Sequence, residues 1–190
     1  MKRVILIRHG KTLANEKRLY CGFSDSPLSE AGIKEIESLK HLYEDVGKNA
    51  VFINSGLSRT VQTMEILFNT KGLSYAGLKE MNFGDFELHS YEELKDRPDY
   101  QKWIEDTINN KVPSGESFIE MRKRVIDTYN EIIDKFKEYD DIVIVCHGGT
   151  IFHIIDYLFD EHKYIYEIQP ENGHSYVIDY TNSKLKYEMR

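Results

Sequence analysis

Two cysteines, four prolines and a single tryptophan are all that 190 residues contain. Cys21 and Cys146 form no CxxC pair, so a disulfide framework is excluded and thiolate metal binding has almost nothing to work with. Positive charge is also scarce. Lys and Arg number 25 against 32 Asp and Glu, a formal charge of −7, where non-specific nucleic-acid binding needs a broad basic surface. That balance still allows a small positive pocket for an anion. No apolar stretch approaches the ~18 residues of a membrane span. Met1, Lys2 and Arg3 are followed by only four apolar residues, too few for a secretory signal. The expectation is a cytoplasmic protein with no membrane or nucleic-acid partner. There is no internal repeat and no low-complexity tract.

Apolar residues at 41% and charged residues at 30% suit a globular chain. At this length one domain, 1–190, is expected. Within it, residues 81–115 differ in character: rich in aromatics and charge, holding Pro98 and Pro113, and lacking a long strand. They read as short helices forming a lid-like insertion.

Apolar runs at 4–7, 51–53 and 142–146, and a weaker one at 73–78, read as strands. The first and last do not alternate, which fits strands covered on both faces. Residues 175–180 alternate, and with 184–188 they read as a C-terminal hairpin or edge pair. Helical stripes separate these runs: Ile33, Ile36, Leu39 and Leu42 behind a Ser29 N-cap; Leu57, Val61, Met64 and Phe68; Met121, Val125, Tyr129, Ile132 and Phe136 behind Ser117 and Glu120 as a capping box; and Ile151, Ile154, Ile155 and Leu158. All four read as core. The fold class is therefore α/β, a mainly parallel sheet between two helical layers.

In such sheets ligands bind beyond the carboxyl ends of the strands. Arg8, His9 and Gly10 follow the first run, Ser55 and Arg59 the second, Glu80 the third, and His147, Gly148, Gly149 and Thr150 the last. Arginine forks suit phosphate oxygens. The turn at Gly148 offers backbone N–H groups at a helix start. A neutral imidazole is a nucleophile at phosphorus, and a glutamate can protonate a leaving alkoxide. These parts fit phosphoryl transfer with no cofactor and no metal, the arginines neutralising charge.

The same residues carry a family resemblance. Arg8-His9-Gly10-Lys11-Thr12 resembles the RHG-x-T signature of the histidine phosphatase, or phosphoglycerate-mutase-like, superfamily. The likeness continues through Asn15, then residues 22–32 (GFSDSPLSEAG), 55–63 (SGLSRTVQT), 80–87 (EMNFGDFE), 113–117 (PSGES) and 146–151 (CHGGTI). Six blocks in the family's order are a specific signal. The resemblance implies a three-layer α/β sandwich with a mixed, mainly parallel sheet. It implies that His9 becomes transiently phosphorylated, that Arg8, Arg59 and His147 hold the phosphoryl group with Asn15 nearby, and that Glu80 handles the leaving-group proton. Lys11, the Phe86-Glu87-Leu88 run (Trp-Glu-Gly in many members) and His174 depart from common patterns.

The chain is more compact than dedicated mutases, which favours hydrolysis of a small phosphorylated metabolite. The run EMNFGDFELHSYEEL is similar to the α-ribazole phosphatase branch, which implies a role in cobalamin biosynthesis. The alternative is a broad-specificity sugar-phosphate or phosphoserine phosphatase; a mutase or an inactive phosphate-binding module ranks below it. Cys21, Gly22, His174, Tyr91 and Trp103 are candidates for the substrate pocket. His41, His89, His153 and His162 show no metal-type pairing and are assigned to surface or core. The expected assembly is a monomer or a homodimer.

Overall fold

A computed structural model describes residues 1–160, 165–181 and 185–190; His162 and Lys184 lie outside them. The elements in chain order are β1 (Arg3–Arg8), α1 (Leu13–Glu16), α2 (Glu30–Ser38), β2 (Ala50–Asn54), α3 (Ser58–Phe68), β3 (Leu73–Ser74), α4 (Tyr91–Leu94), α5 (Pro98–Glu105), α6 (Phe118–Lys135), β4 (Asp141–Cys146), α7 (Gly148–Phe159), α8 (Ile165–Ile168), β5 (Ser175–Asp179) and β6 (Lys186–Met189). The sheet order is β3-β2-β4-β1-β5-β6. The first four strands are parallel, while β5 and β6 are antiparallel to their neighbours.

The strand pleat divides the core in two. Val4, Leu6, Ile142 and Ile144 point toward α6 and α7, joining Met121, Val125, Tyr129, Ile151 and Ile155. Ile5, Ile7, Val143 and Val145 point the other way, toward Met64 on α3 and Tyr43. Both faces are covered, which is why residues 4–7 of β1 and 142–146 of β4 are apolar throughout rather than alternating. Ser29 and Ser117 cap α2 and α6 as expected; Ser117 does so in a reciprocal box with Glu120.

Two elements differ from expectation. The run at 73–78 gives a strand only at Leu73–Ser74; a 3-10 turn at Ala76–Leu78 replaces the rest. Gly77 sits so close to Thr128 that no side chain would fit. The chain leaves the sheet there to pack on α6, and this turn delivers Glu80. On α3 the buried face holds Arg59, Thr60 and Thr63 beside Met64, while Val61 and Phe68 are only half-buried. Its inner surface is thus polar where it meets the strand ends. Between 81 and 115 lie a 3-10 turn at Gly84–Phe86, α4 and α5. Tyr20, Phe83, Phe86, Tyr100 and Trp103 pack there in tilted and edge-to-face pairs. Leu88, at a position where glycine is common in the resembled pattern, adopts a φ of 60°, a left-handed conformation that costs a branched residue energy.

Candidate active site

Strand register brings the two histidines together. Arg8 on β1 pairs with Cys146 on β4, so the residues that follow, His9 and His147, emerge side by side. Their rings lie 5.1 Å apart, edge to face. The His9 backbone N–H donates to the Cys146 carbonyl at 3.0 Å, locking the two strand ends.

Hydrogen bonds fix both ring tautomers. His9 Nδ1 lies 2.7 Å from the Gly10 carbonyl. A carbonyl only accepts, so Nδ1 carries the proton and Nε2 keeps its lone pair. His147 Nδ1 accepts from Arg59 Nε at 3.3 Å, so its proton sits on Nε2, which donates to Ser55 Oγ at 2.8 Å. Burial, reinforced by Arg59, pushes the His9 imidazole down to about 3. The same causes, in the same order, hold His147 well below its ordinary value. Both rings are neutral at physiological pH.

Arg59 is 1% exposed and is held by backbone. Its guanidinium donates to the Gly22 carbonyl at 2.6 Å and to the Ser24 carbonyl at 3.0 Å. Its contacts to Cys21, 3.5 Å to the carbonyl and 3.9 Å to the sulfur, are long. The 22–24 loop is in turn gripped by Glu87, whose carboxylate accepts the N–H groups of Gly22, Phe23, Ser24 and Phe83 at 2.8–3.2 Å. Gly22 itself packs so tightly on the Met81 carbonyl that a Cβ has no room. Arg8 donates to the Pro170 carbonyl at 2.8 Å, while its buried Nε has no partner. Burial lowers both arginines, yet a guanidinium remains charged at neutral pH.

Glu80 faces the helix that starts at Gly148. Its carboxylate accepts the Gly149 N–H at 3.0 Å and the Met81 N–H at 2.9 Å. A side chain at Gly149 would collide with it. Arg124 fixes the backbone behind, donating to the carbonyls of Gly77, Lys79 and Glu80. Two guanidiniums, one fully and one partly buried, among neutral histidines give the site a positive potential that favours an anion.

A cavity of about 270 Å³ opens on this cluster. Arg8, His9, Asn15, Cys21, Glu80 and Gly148, all singled out in the sequence, line it. Asn15 also closes a capping box with Thr12. Arg59 and His147 stand behind the lining. Four pocket expectations are corrected. His174 sits beside Arg8, whose backbone N–H donates to its carbonyl, but its ring Nδ1 turns to the Arg190 carbonyl at 3.0 Å and it does not line the cavity. Gly22 serves Arg59 and Glu87 instead. Tyr91 is 53% exposed, and Trp103 is core. The sequence reading missed the rest of the wall, chiefly Phe83, Phe118, Met121, Ile165 and Gln169. Their apolar spacing is indistinguishable from core until the fold is known. A larger cleft of about 650 Å³ lies at the opposite end of the sheet. Its Arg3, Arg190, Asp45 and Asp141 pair with one another, and it holds none of the strand-end residues. Among the described residues no group of three or more His, Cys, Asp or Glu side chains is placed to hold a metal ion. Nor is any described helix long and apolar enough to cross a membrane.

A neutral imidazole with a free Nε2, ringed by guanidiniums at the end of a mixed α/β sheet, defines an enzyme of phosphoryl transfer through histidine. The comparisons make this specific: residues 4–189 match the histidine phosphatase superfamily (branch 1). The chain belongs to that family of phosphatases. It is 30% identical over 158 residues to the adenosylcobalamin/alpha-ribazole phosphatase of Escherichia coli strain K12, covering 80% of this chain and 77% of that protein. A Hydrogenobacter thermophilus protein provisionally named phosphoserine phosphatase 2 is also 30% identical, over 82% of this chain and 77% of its own length. The crystal structure of the alpha-ribazole phosphatase from Shigella flexneri superimposes with a TM-score of 0.83 at 29% identity, over 99% of this chain and 94% of that one.

Proposed function

We propose that this enzyme hydrolyses α-ribazole 5′-phosphate, or a closely related riboside 5′-phosphate, through a phosphohistidine. His9 Nε2 attacks phosphorus and the ester oxygen leaves with a proton from Glu80; water then attacks the phosphohistidine with Glu80 as base. Arg8, Arg59, the His147 side and the α7 N-terminus at Gly148 hold the phosphoryl oxygens. The two long Arg59 contacts to Cys21 are the ones a phosphoryl oxygen replaces, and Asn15 meets the same group from the rim. In this reading residues 81–115 are a lid: Met81 and Phe83 from its start form part of the cavity wall. The enzyme works in the cytoplasm on a diffusible metabolite.

The observation that carries the substrate class is the character of the outer cavity. Leu19, Tyr20, Phe83, Phe118, Met121 and Ile165 line it, an apolar enclosure beside a charged phosphoryl end. Serine or a bare sugar would leave that surface without contact, whereas a flat heterocycle buries against it. The names of the relatives support the same choice. The test is a panel of phosphomonoesters. α-Ribazole 5′-phosphate should give a kcat/KM at least about tenfold above ribose 5-phosphate and phosphoserine, a margin set by burial of one ring. Equal values would overturn the substrate reading. His9→Ala should abolish turnover of every ester in the panel while the fold is retained.

A further inference from the structure

His153 is fully buried on α7, and neither of its ring nitrogens has a hydrogen-bond partner. Two buried polar atoms with no protein partner are a penalty that an apolar side chain of similar size avoids. The reaction does not use this histidine; His9 and His147 occupy the phosphoryl end. Its position is nevertheless specific. It follows Gly149 by four residues, so the two share one face of α7. Helical side chains lean toward the helix N-terminus, and here that end is the active site. His153 accordingly contributes to the cavity wall, with Phe118, Ile165 and Gln169 beside it. The Phe118 ring lies 4.4 Å from the imidazole, tilted by 59°. Burial holds this imidazole at about 3, so it is neutral, with one donor and one acceptor.

We propose that His153 selects the leaving group, its imidazole hydrogen-bonding to a ring nitrogen of an aromatic heterocycle packed against Phe118. The inference rests on the phosphatase reading of the site and deepens it. The phosphoryl end recognises any phosphomonoester, and His153 is the polar group that tells a nitrogen heterocycle from a hydrocarbon ring. Ligand arrival supplies the partner the free protein lacks, a cost in stability that is recovered only with the right leaving group.

The test compares kcat/KM for benzimidazole riboside 5′-phosphate and indole riboside 5′-phosphate, which differ by a ring nitrogen replaced by C–H. Ribose 5-phosphate serves as the base-free reference. The wild-type enzyme should prefer the benzimidazole ester by about 10- to 100-fold, the range of one buried hydrogen bond. In His153→Phe that ratio should fall to within about threefold of one, and His153→Gln, which keeps a donor and an acceptor, should restore part of it. The His153→Phe melting midpoint should hold or rise, because buried polar atoms are removed. A wild-type ratio near one, or a ratio unchanged in His153→Phe, overturns the inference while leaving the phosphatase reading standing. Failure of the wild-type enzyme to hydrolyse all three esters would overturn both.

Discussion

Acidification should destabilise this protein from near pH 6.5 downward, well before its carboxylates begin to protonate. Of seven histidines, the fold keeps at least three buried and neutral. His9 and His153 are held at about 3, chiefly by burial, and His147 well below its usual range for the same reason. In the unfolded chain each returns to about 6.5. A base depressed in the native state takes up its proton only on unfolding. The stability it contributes is therefore complete above about pH 6.5 and drains away as pH falls toward the native value. Each such group gives a slope of ~1.4 kcal/mol per pH unit, so three give ~4 kcal/mol per pH unit below about pH 6. At pH 5 the loss is on the order of 5 kcal/mol, comparable with the entire stability of many domains. The paired carboxylates behave differently. Asp141 beside Arg3, and Asp45 between Arg3 and Arg190, lie below the usual range; they stabilise above about pH 4 and lose that contribution only below it. Urea midpoints measured between about pH 8 and pH 5 separate the two windows. His153→Phe removes one of the three protons and should cut the slope by about a third. A midpoint that stays flat from about pH 7 to pH 5.5, or a slope that His153→Phe leaves unchanged, would refute the claim that the site is built from neutral imidazoles.

The part of this site readable in the sequence is the part carried by strand ends. Apolar runs terminating in Arg8-His9 and in Cys146-His147 needed only parallel pairing to meet, and the register of Arg8 with Cys146 supplies it. The resemblance to one family then named the roles. What the sequence did not disclose depends on contacts between remote segments. Arg59 looked like a clamp on a helix turn; its grip on the Gly22 and Ser24 carbonyls involves backbone atoms that every residue possesses. Arg124 drew no sequence reading, yet it donates to the carbonyls of Gly77, Lys79 and Glu80. Glu87 sat visibly in a matching block, but the four N–H groups it collects come from two separate stretches of chain. His153 was assigned to surface or core, and core is correct; that the same ring also walls the cavity follows from where α7 begins, which periodicity alone does not specify. His174 misled because a place beside Arg8 at the strand ends said nothing about its ring, which turns to the Arg190 carbonyl.

Arg59→Lys should lower kcat by about two to three powers of ten, because an ammonium cannot hold both loop carbonyls and His147 while also meeting a phosphoryl oxygen. Near-normal turnover at saturating substrate would show that charge alone suffices. Glu80→Gln should slow alkyl phosphates by about 10²- to 10⁴-fold but leave nitrophenyl phosphate much less affected, since a good leaving group needs no proton; equal losses would assign the proton to another residue. Phosphodiesters should be refused outright, and the reason lies in the shape of the phosphoryl end. Arg59, His147 and Ser55 are each at most 1% exposed, so the cluster is closed on their side. A phosphoryl group seated beside His9 must direct its ester substituent away from that closed side, toward the lined cavity. A second substituent would have to occupy the space filled by the guanidinium of Arg59 and the 22–24 loop, which Glu87 pins in place. The monoester also brings the two negative charges that two guanidiniums match, while a diester brings one and forfeits part of the electrostatic gain. Bis(nitrophenyl) phosphate should thus react at least about 10³-fold more slowly than nitrophenyl phosphate, a factor within the range lost when donors to transition-state charge are removed. Rates within tenfold of each other would mean that the 22–24 loop opens, and that Arg59 is not held as the structure places it.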